Sequence, residues 1–148
     1  MSEESKKTAQ DIFKKAYELQ MAGELEDAID QYKRSIEIFP TAEAHTFLGW
    51  TYSFQGHYDE AISECKKAIK VDPDFGNPYN DIGAYLIERG ALDEAIPWLR
   101  KAMTANATIV TAIPITILAV CMSRKGNGMK RLNVSKHRLR LTLTTSWP

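Results

Sequence analysis

A chain of 148 residues, 44% hydrophobic and 26% charged, has the size and composition of one soluble domain with a buried core; collagen, coiled-coil rods, disulfide miniproteins and multi-domain enzymes are excluded. The formal net charge of zero conceals a break: residues 1–107 carry 12 Lys and Arg against 19 Asp and Glu, whereas residues 108–148 carry 7 basic residues and no acidic one. That asymmetry separates two segments of different character.

The opening MSEESKKTAQ has no apolar run of the kind a signal peptide needs, and two cysteines, Cys65 and Cys121, are too few for a disulfide framework. A cytoplasmic protein is expected, with Cys65 a small core residue on a helical stripe. Six helices are predicted in chain order, over 6–21, 25–38, 42–55, 59–71, 76–89 and 93–105. Apolar residues such as Leu48, Tyr52, Tyr58, Ile62 and Ile69 fall at the three- and four-residue intervals of a buried helical face. Gly23, Gly56 and Gly90 sit between helices, where a left-handed residue ends one helix. The acidic pairs Glu26-Asp27, Asp59-Glu60 and Asp93-Glu94 then complement the N-terminal dipole of the next. Pro40 and Pro73 stop the second and fourth helices, and Pro97 is expected within the tolerant first turn or so of the sixth.

Sliding the chain along itself gives a match at a shift of 33 to 34 residues, in three copies. Gly23, Gly56 and Gly90 align; so do Ala28, Ala61 and Ala95, then Ser35, Ala68 and Ala102, and upstream Ala16, Gly49 and Gly83. Small side chains are needed where antiparallel helices approach closely, and Gly49 is expected to face Ala61. These columns resemble the tetratricopeptide repeat, with Leu48, Gly49, Tyr52, Gly56, Tyr58, Ala61, Ala68 and Pro73 carrying the pattern in the middle copy. Ile82, Gly83, Gly90, Ala95 and Ala102 carry it in the third. The first copy has Lys15 and Ala16 where the family has Leu and Gly, and resembles it through Gly23, Ala28, Tyr32 and Pro40.

The resemblance implies an all-α superhelix of antiparallel helix pairs, with units at about 9–41, 42–75 and 76–107. It also implies a non-catalytic scaffold holding a protein or peptide partner in a concave groove lined by the first helix of each pair. The groove positions would be Gln10, Phe13, Tyr17 and Gln20, then Glu43, Thr46, Trp50 and Ser53, then Asn77, Asn80, Ala84 and Ile87. Tyr17 and Trp50 occupy equivalent sites and read either as binding anchors or as packing between repeats. One subfamily grips chaperone C-termini with a clamp of Lys, Asn and Arg. Here Phe13 and Tyr17 replace its first Lys and Asn, Phe47 its second Asn, and Asn77 and Asp81 its last Lys and Arg, so a chaperone-tail adaptor is not expected. The acidic repeats argue against nucleic acid.

No phosphate loop, nucleophile triad, cofactor motif or metal constellation stands in the sequence, and His45 and His57 read as surface or inter-helix histidines. Self-assembly through exposed repeat ends is the alternative role, and a membrane tether through residues 108–122 a further one. Those fifteen residues fall short of the roughly 20 that span a bilayer.

After Ala107 the repeat stops; as a natural basic tail, residues 108–148 could bind acidic surfaces, including the repeats themselves, and out of frame they are expected to be without stable fold or to pack adventitiously. The genetic code allows a third account. Taking the last base of each codon with the first two of the next, from Ile113 and Pro114 onward, permitted codons jointly spell PHYNLGRVYxKKGxWxEAIExFKxSLxxDPDY. Its Gly-to-Ala spacing of 12 and Gly-to-Pro spacing of 24 equal those from Gly49 to Ala61 and from Gly49 to Pro73. Met129 and Lys130 force its Glu, while the opposite shift makes a stop triplet there. The expectation is a change of frame between about Met103 and Ala112.

Overall fold

The computed structural model describes residues 2–104, which form six α-helices and no strand. The expectations for residues 108–148 lie outside the described residues. The helices are α1 (Glu3–Met21), α2 (Leu25–Ile38), α3 (Ala42–Phe54), α4 (Tyr58–Val71), α5 (Gly76–Glu88) and α6 (Leu92–Thr104). Five of them match the predicted bounds to within one residue. The sixth, α1, begins three residues early, because the Ser2 hydroxyl accepts the Ser5 N–H at 3.2 Å and Glu3 and Glu4 favour the dipole of that end.

Each connection uses its glycine as expected: Gly23, Gly56 and Gly90 have φ of 82°, 78° and 81°, the left-handed region that costs other residues free energy. Pro97 differs from expectation. The sixth helix starts at Leu92, with the Ala95 N–H bonded to the Ala91 carbonyl, so Pro97 is its sixth residue and falls in the second turn. Its side is exposed, where water can replace the missing backbone bond.

The described residues divide into two compact units, one ending at Pro73 and the other beginning at Asp74. In the first, α1 packs on α2, α2 on α3 and α3 on α4. Close approach of α3 and α4 rests on the column of small residues: a Cβ on Gly49 would stand 2.9 Å from the Ala61 carbonyl oxygen and 3.3 Å from the Cys65 sulfur. Ala61 and Cys65 are fully buried there, as the spacing predicts. Gly49→Ala is therefore expected to destabilise the protein by about 1–2 kcal/mol, because a backbone oxygen cannot move aside. Overpacking of about 1–3 kcal/mol outweighs the helix propensity of about 1 kcal/mol that alanine adds. Urea unfolding checks this, and an unchanged midpoint would show that the helix pair parts freely.

In the second unit α5 packs on α6. Leu99 lies where Cys65 does in the preceding repeat, and a Cβ on Gly83 would overlap its side chain. Tyr79 and Trp98 hold their rings 6.3 Å apart, and the Lys101 ammonium lies 4.8 Å from the Trp98 ring centre, a cation–π contact.

Candidate functional site

The first unit gathers aromatic residues from three helices around one ring. Phe47 of α3, 8% exposed, has Phe13 at 5.1 Å and Tyr17 at 5.8 Å from α1, Tyr32 of α2 stacked at 6.3 Å, and Trp50 at 5.9 Å. Phe13 also meets Tyr32 edge-on at 5.6 Å. The arrangement follows from helical spacing: Phe13 and Tyr17 are four residues apart on α1, and Phe47 and Trp50 three apart on α3, so each pair shares a face. Three of the positions where a carboxylate clamp would need Lys and Asn, at Phe13, Tyr17 and Phe47, are thus packed together as an aromatic cluster.

Trp50 and Tyr17 are part-exposed, so each both packs on Phe47 and presents a side to solvent. Trp50 is followed four residues on by Phe54, which is 51% exposed with its ring 5.0 Å away. Phe54 is not among the expected groove positions, although its spacing from Trp50 locates it. Ser53 is part-buried, its hydroxyl donating to the Trp50 carbonyl.

Higher on the same helices is a pocket of about 310 Å³, lined by Lys6, Ala9, Gln10, Phe13, Ser35, Phe39, Thr41 and Glu43. Gln10, Phe13 and Glu43 are expected groove residues; Lys6 and Phe39 are not. Lys6 and Glu43 supply one charge of each sign. The Ser35 hydroxyl is held by the Ala9 carbonyl at 2.7 Å, joining α2 to α1 beneath.

Five expected positions are closed, two of them in the first unit. Gln20 is buried because its amide oxygen accepts the Tyr32 hydroxyl at 2.6 Å, pulling the side chain between α1 and α2. Burial pushes the Tyr32 phenol well above its ordinary range. Thr46 is fully buried, and its hydroxyl donates to the Ala42 carbonyl at 2.7 Å, so it has no need of water. In the second unit Asn77, Asn80 and Ile87 are buried and Ala84 is part-buried. Asp81, unassigned as a groove residue, is buried with them. Burial pushes its carboxyl up to about 8, although a hydrogen bond from Asn80 works the other way.

His45 is an inter-helix histidine, its Nδ1 2.8 Å from the Glu64 carboxylate of α4, and Lys67 reaches the other Glu64 oxygen at 3.0 Å. Burial works to raise the Glu64 carboxyl, and the bonds from His45 and Lys67 outweigh it, leaving the group below the usual carboxylate range. The described residues hold no group of three or more His, Cys, Asp and Glu side chains arranged for a metal ion, and no described helix is long and apolar enough to cross a membrane.

Comparison with known families places residues 42–75 and 79–108 on tetratricopeptide-repeat models. These residues are tetratricopeptide repeats. The chain is 31% identical over 80 residues to the small glutamine-rich tetratricopeptide repeat-containing protein 2 of Mycosarcoma maydis, a match covering 53% of this chain and 23% of that protein. It is 27% identical over 132 residues to mouse protein arginine N-methyltransferase 9, covering 84% of this chain and 15% of that enzyme. The chain spans a quarter or less of the length of these curated relatives. Among solved structures, the Yersinia enterocolitica type III secretion chaperone SycD, in complex with a peptide of the translocator YopD, superposes with a TM-score of 0.74. That match has 21% identity and covers 84% of this chain and 99% of SycD. The chain shares that all-α fold of paired helices.

Proposed function

We propose that the first unit binds an extended, largely apolar segment of a partner protein, without catalysis. The observation that carries this reading is one stripe along α3. Glu43, Phe47, Trp50 and Phe54 recur at intervals of four, three and four residues, with a pocket at the start, Phe47 buried beneath the middle and an open aromatic pair at the end. From Glu43 to Phe54 the helix rises about 16 Å, the length of roughly five extended residues. Such a segment would set an apolar side chain in the pocket, where Lys6 and Glu43 flank its backbone, and lay another across Trp50 and Phe54. Aromatic side chains offer large contact area at low entropic cost. The packed cluster at Phe13, Tyr17 and Phe47 favours apolar segments over carboxylate-terminated ones, and SycD in complex with a peptide of YopD is a precedent within the fold. The methyltransferase match does not bring an activity with it, since it spans 15% of that enzyme.

The test is selection from a random peptide library followed by calorimetry. Apolar, aromatic-containing peptides are expected to be enriched over acidic chaperone-type tails. Trp50→Ala is expected to weaken the selected peptides by about 2 kcal/mol, close to 30-fold, with helicity unchanged by circular dichroism. Phe54→Ala, on a side chain half open to solvent, should weaken them without any loss of stability. Undiminished affinity in both variants would assign the pair to repeat packing and overturn the proposal.

A further inference from the structure

The face of α2 that α3 covers is marked by two contacts. The Gln55 amide, one residue past α3, donates to the Glu26 carboxylate at 2.9 Å, and Tyr32 stacks on Phe47. Between and beyond these on α2 lie Ile29 and Ile36. The repeat carries both columns forward: Ile29, Ile62 and Ile96 in one, and Ile36, Ile69 and Met103 in the other. Ile29 and Ile62 are buried and Ile96 only part-buried, and Ile36 and Ile69 are part-buried where Met103 is 40% exposed. The third repeat therefore keeps, on α6, the apolar face that in the first repeat is covered by the next helix. Apolar residues at such positions are stable in water only beneath a neighbour, which is why terminal repeats of solenoids need a polar cap.

We infer that this face of α6 is the seat of a fourth repeat, and that the gene encodes that repeat in the frame overlapping residues 113–145. Two independent lines meet here. One is the exposure gained by Ile96 and Met103. The other is the shifted reading, in which Tyr-Asn-Leu-Gly takes the place of Thr46-Phe47-Leu48-Gly49 and the Gly, Ala and Pro spacings reproduce those of the middle repeat. The tetratricopeptide match ends at residue 108, inside the window where the frame is expected to change. The loss of every acidic residue beyond that window follows too, because a shifted frame has no reason to keep the acidic pair that opens each second helix.

The experiment begins with the nucleotide sequence of codons 100 to 148 in the source gene, then compares the full chain as it exists with a chain whose frame is restored. The codons are expected to spell the fourth repeat. Amide exchange in α6 is expected to slow by about tenfold or more in the restored chain, and its thermal midpoint to rise by about 5 °C. Codons that forbid the shifted reading overturn the inference. A restored chain no more stable than the existing one, whether folded or not, overturns the docking. So does an α6 that already exchanges as slowly as α2 in the existing chain. If the codons forbid the shift and the existing chain forms a concentration-dependent dimer protecting Met103, the face belongs to a second copy and the inference fails.

Discussion

Phe47→Ala is expected to cost about 3–5 kcal/mol, the range for removing a buried aromatic ring, and so to consume a large part of the stability of a protein this size. Phe47 touches the rings of Phe13, Tyr17, Tyr32 and Trp50, drawn from α1, α2 and α3. Its loss leaves a cavity lined by rigid rings that cannot collapse together, because they are anchored on three different helices. Phe47→Leu should recover part of the loss, since it refills volume without restoring the edge-on ring contacts, each worth about 0.5–1.5 kcal/mol beyond buried area. Denaturant unfolding followed by circular dichroism measures both. A cost below about 1 kcal/mol for the alanine variant would show that the cluster does not hold the three helices together. The same variant should weaken peptide binding even where it remains folded, because Tyr17 and Trp50 both rest on the Phe47 ring.

Stability is expected to fall as pH rises between about 4 and 8, and Asp81→Asn to remove most of that dependence. Burial raises the Asp81 carboxyl from 3.8 to about 8. Below 3.8 folded and unfolded chains are both protonated and the favourable burial is fully present. Between the two values the folded chain holds a proton that the unfolded chain has released, so stability declines by up to about 1.4 kcal/mol per pH unit. The decline ends as the pH passes through the folded value. At pH 7 the accumulated cost is on the order of 4 kcal/mol, and a neutral amide of the same shape avoids it. An Asn at 81 can still accept the bond that Asn80 donates, while its amino group adds donors near a helix face where the Asn77 and Asn80 carbonyl oxygens have no partner among the described residues. Chemical unfolding of both proteins across pH 5 to 9 decides the matter: a flat wild-type profile would mean that Asp81 stays ionised and hydrated.

Much of the fold was legible in the sequence because its signals are local. A glycine with positive φ, an acidic pair in the next turn and a proline after the second helix each act within a few residues, so Gly23, Gly56, Gly90, Pro40 and Pro73 locate the connections without reference to the rest of the chain. The candidate site was less legible. Expected positions on the first helix of each pair share one spacing, but that spacing does not say which of them a neighbouring helix overhangs. Thr46 could turn inward because the Ala42 carbonyl four residues back satisfies its hydroxyl, and Gln20 because the Tyr32 phenol reaches it from the next helix. Phe54 opens to solvent at the end of α3, one turn beyond Trp50 and one residue beyond Ser53, the last expected position on that helix.

Helix bounds, repeat period and the small-residue columns at Gly49 and Gly83 were therefore determined by the sequence by itself, since they depend on backbone conformation and side-chain size within a single helix pair. Only the tertiary structure decided that Phe13, Tyr17, Tyr32, Phe47 and Trp50 form one cluster, that Gln20 and Thr46 are closed while Trp50 and Phe54 are open, and that Ile96 and Met103 lack the cover given to Ile29. Those outcomes depend on which side chains from distant parts of the chain meet across helix seams, and burial is a property of that meeting, not of any residue alone.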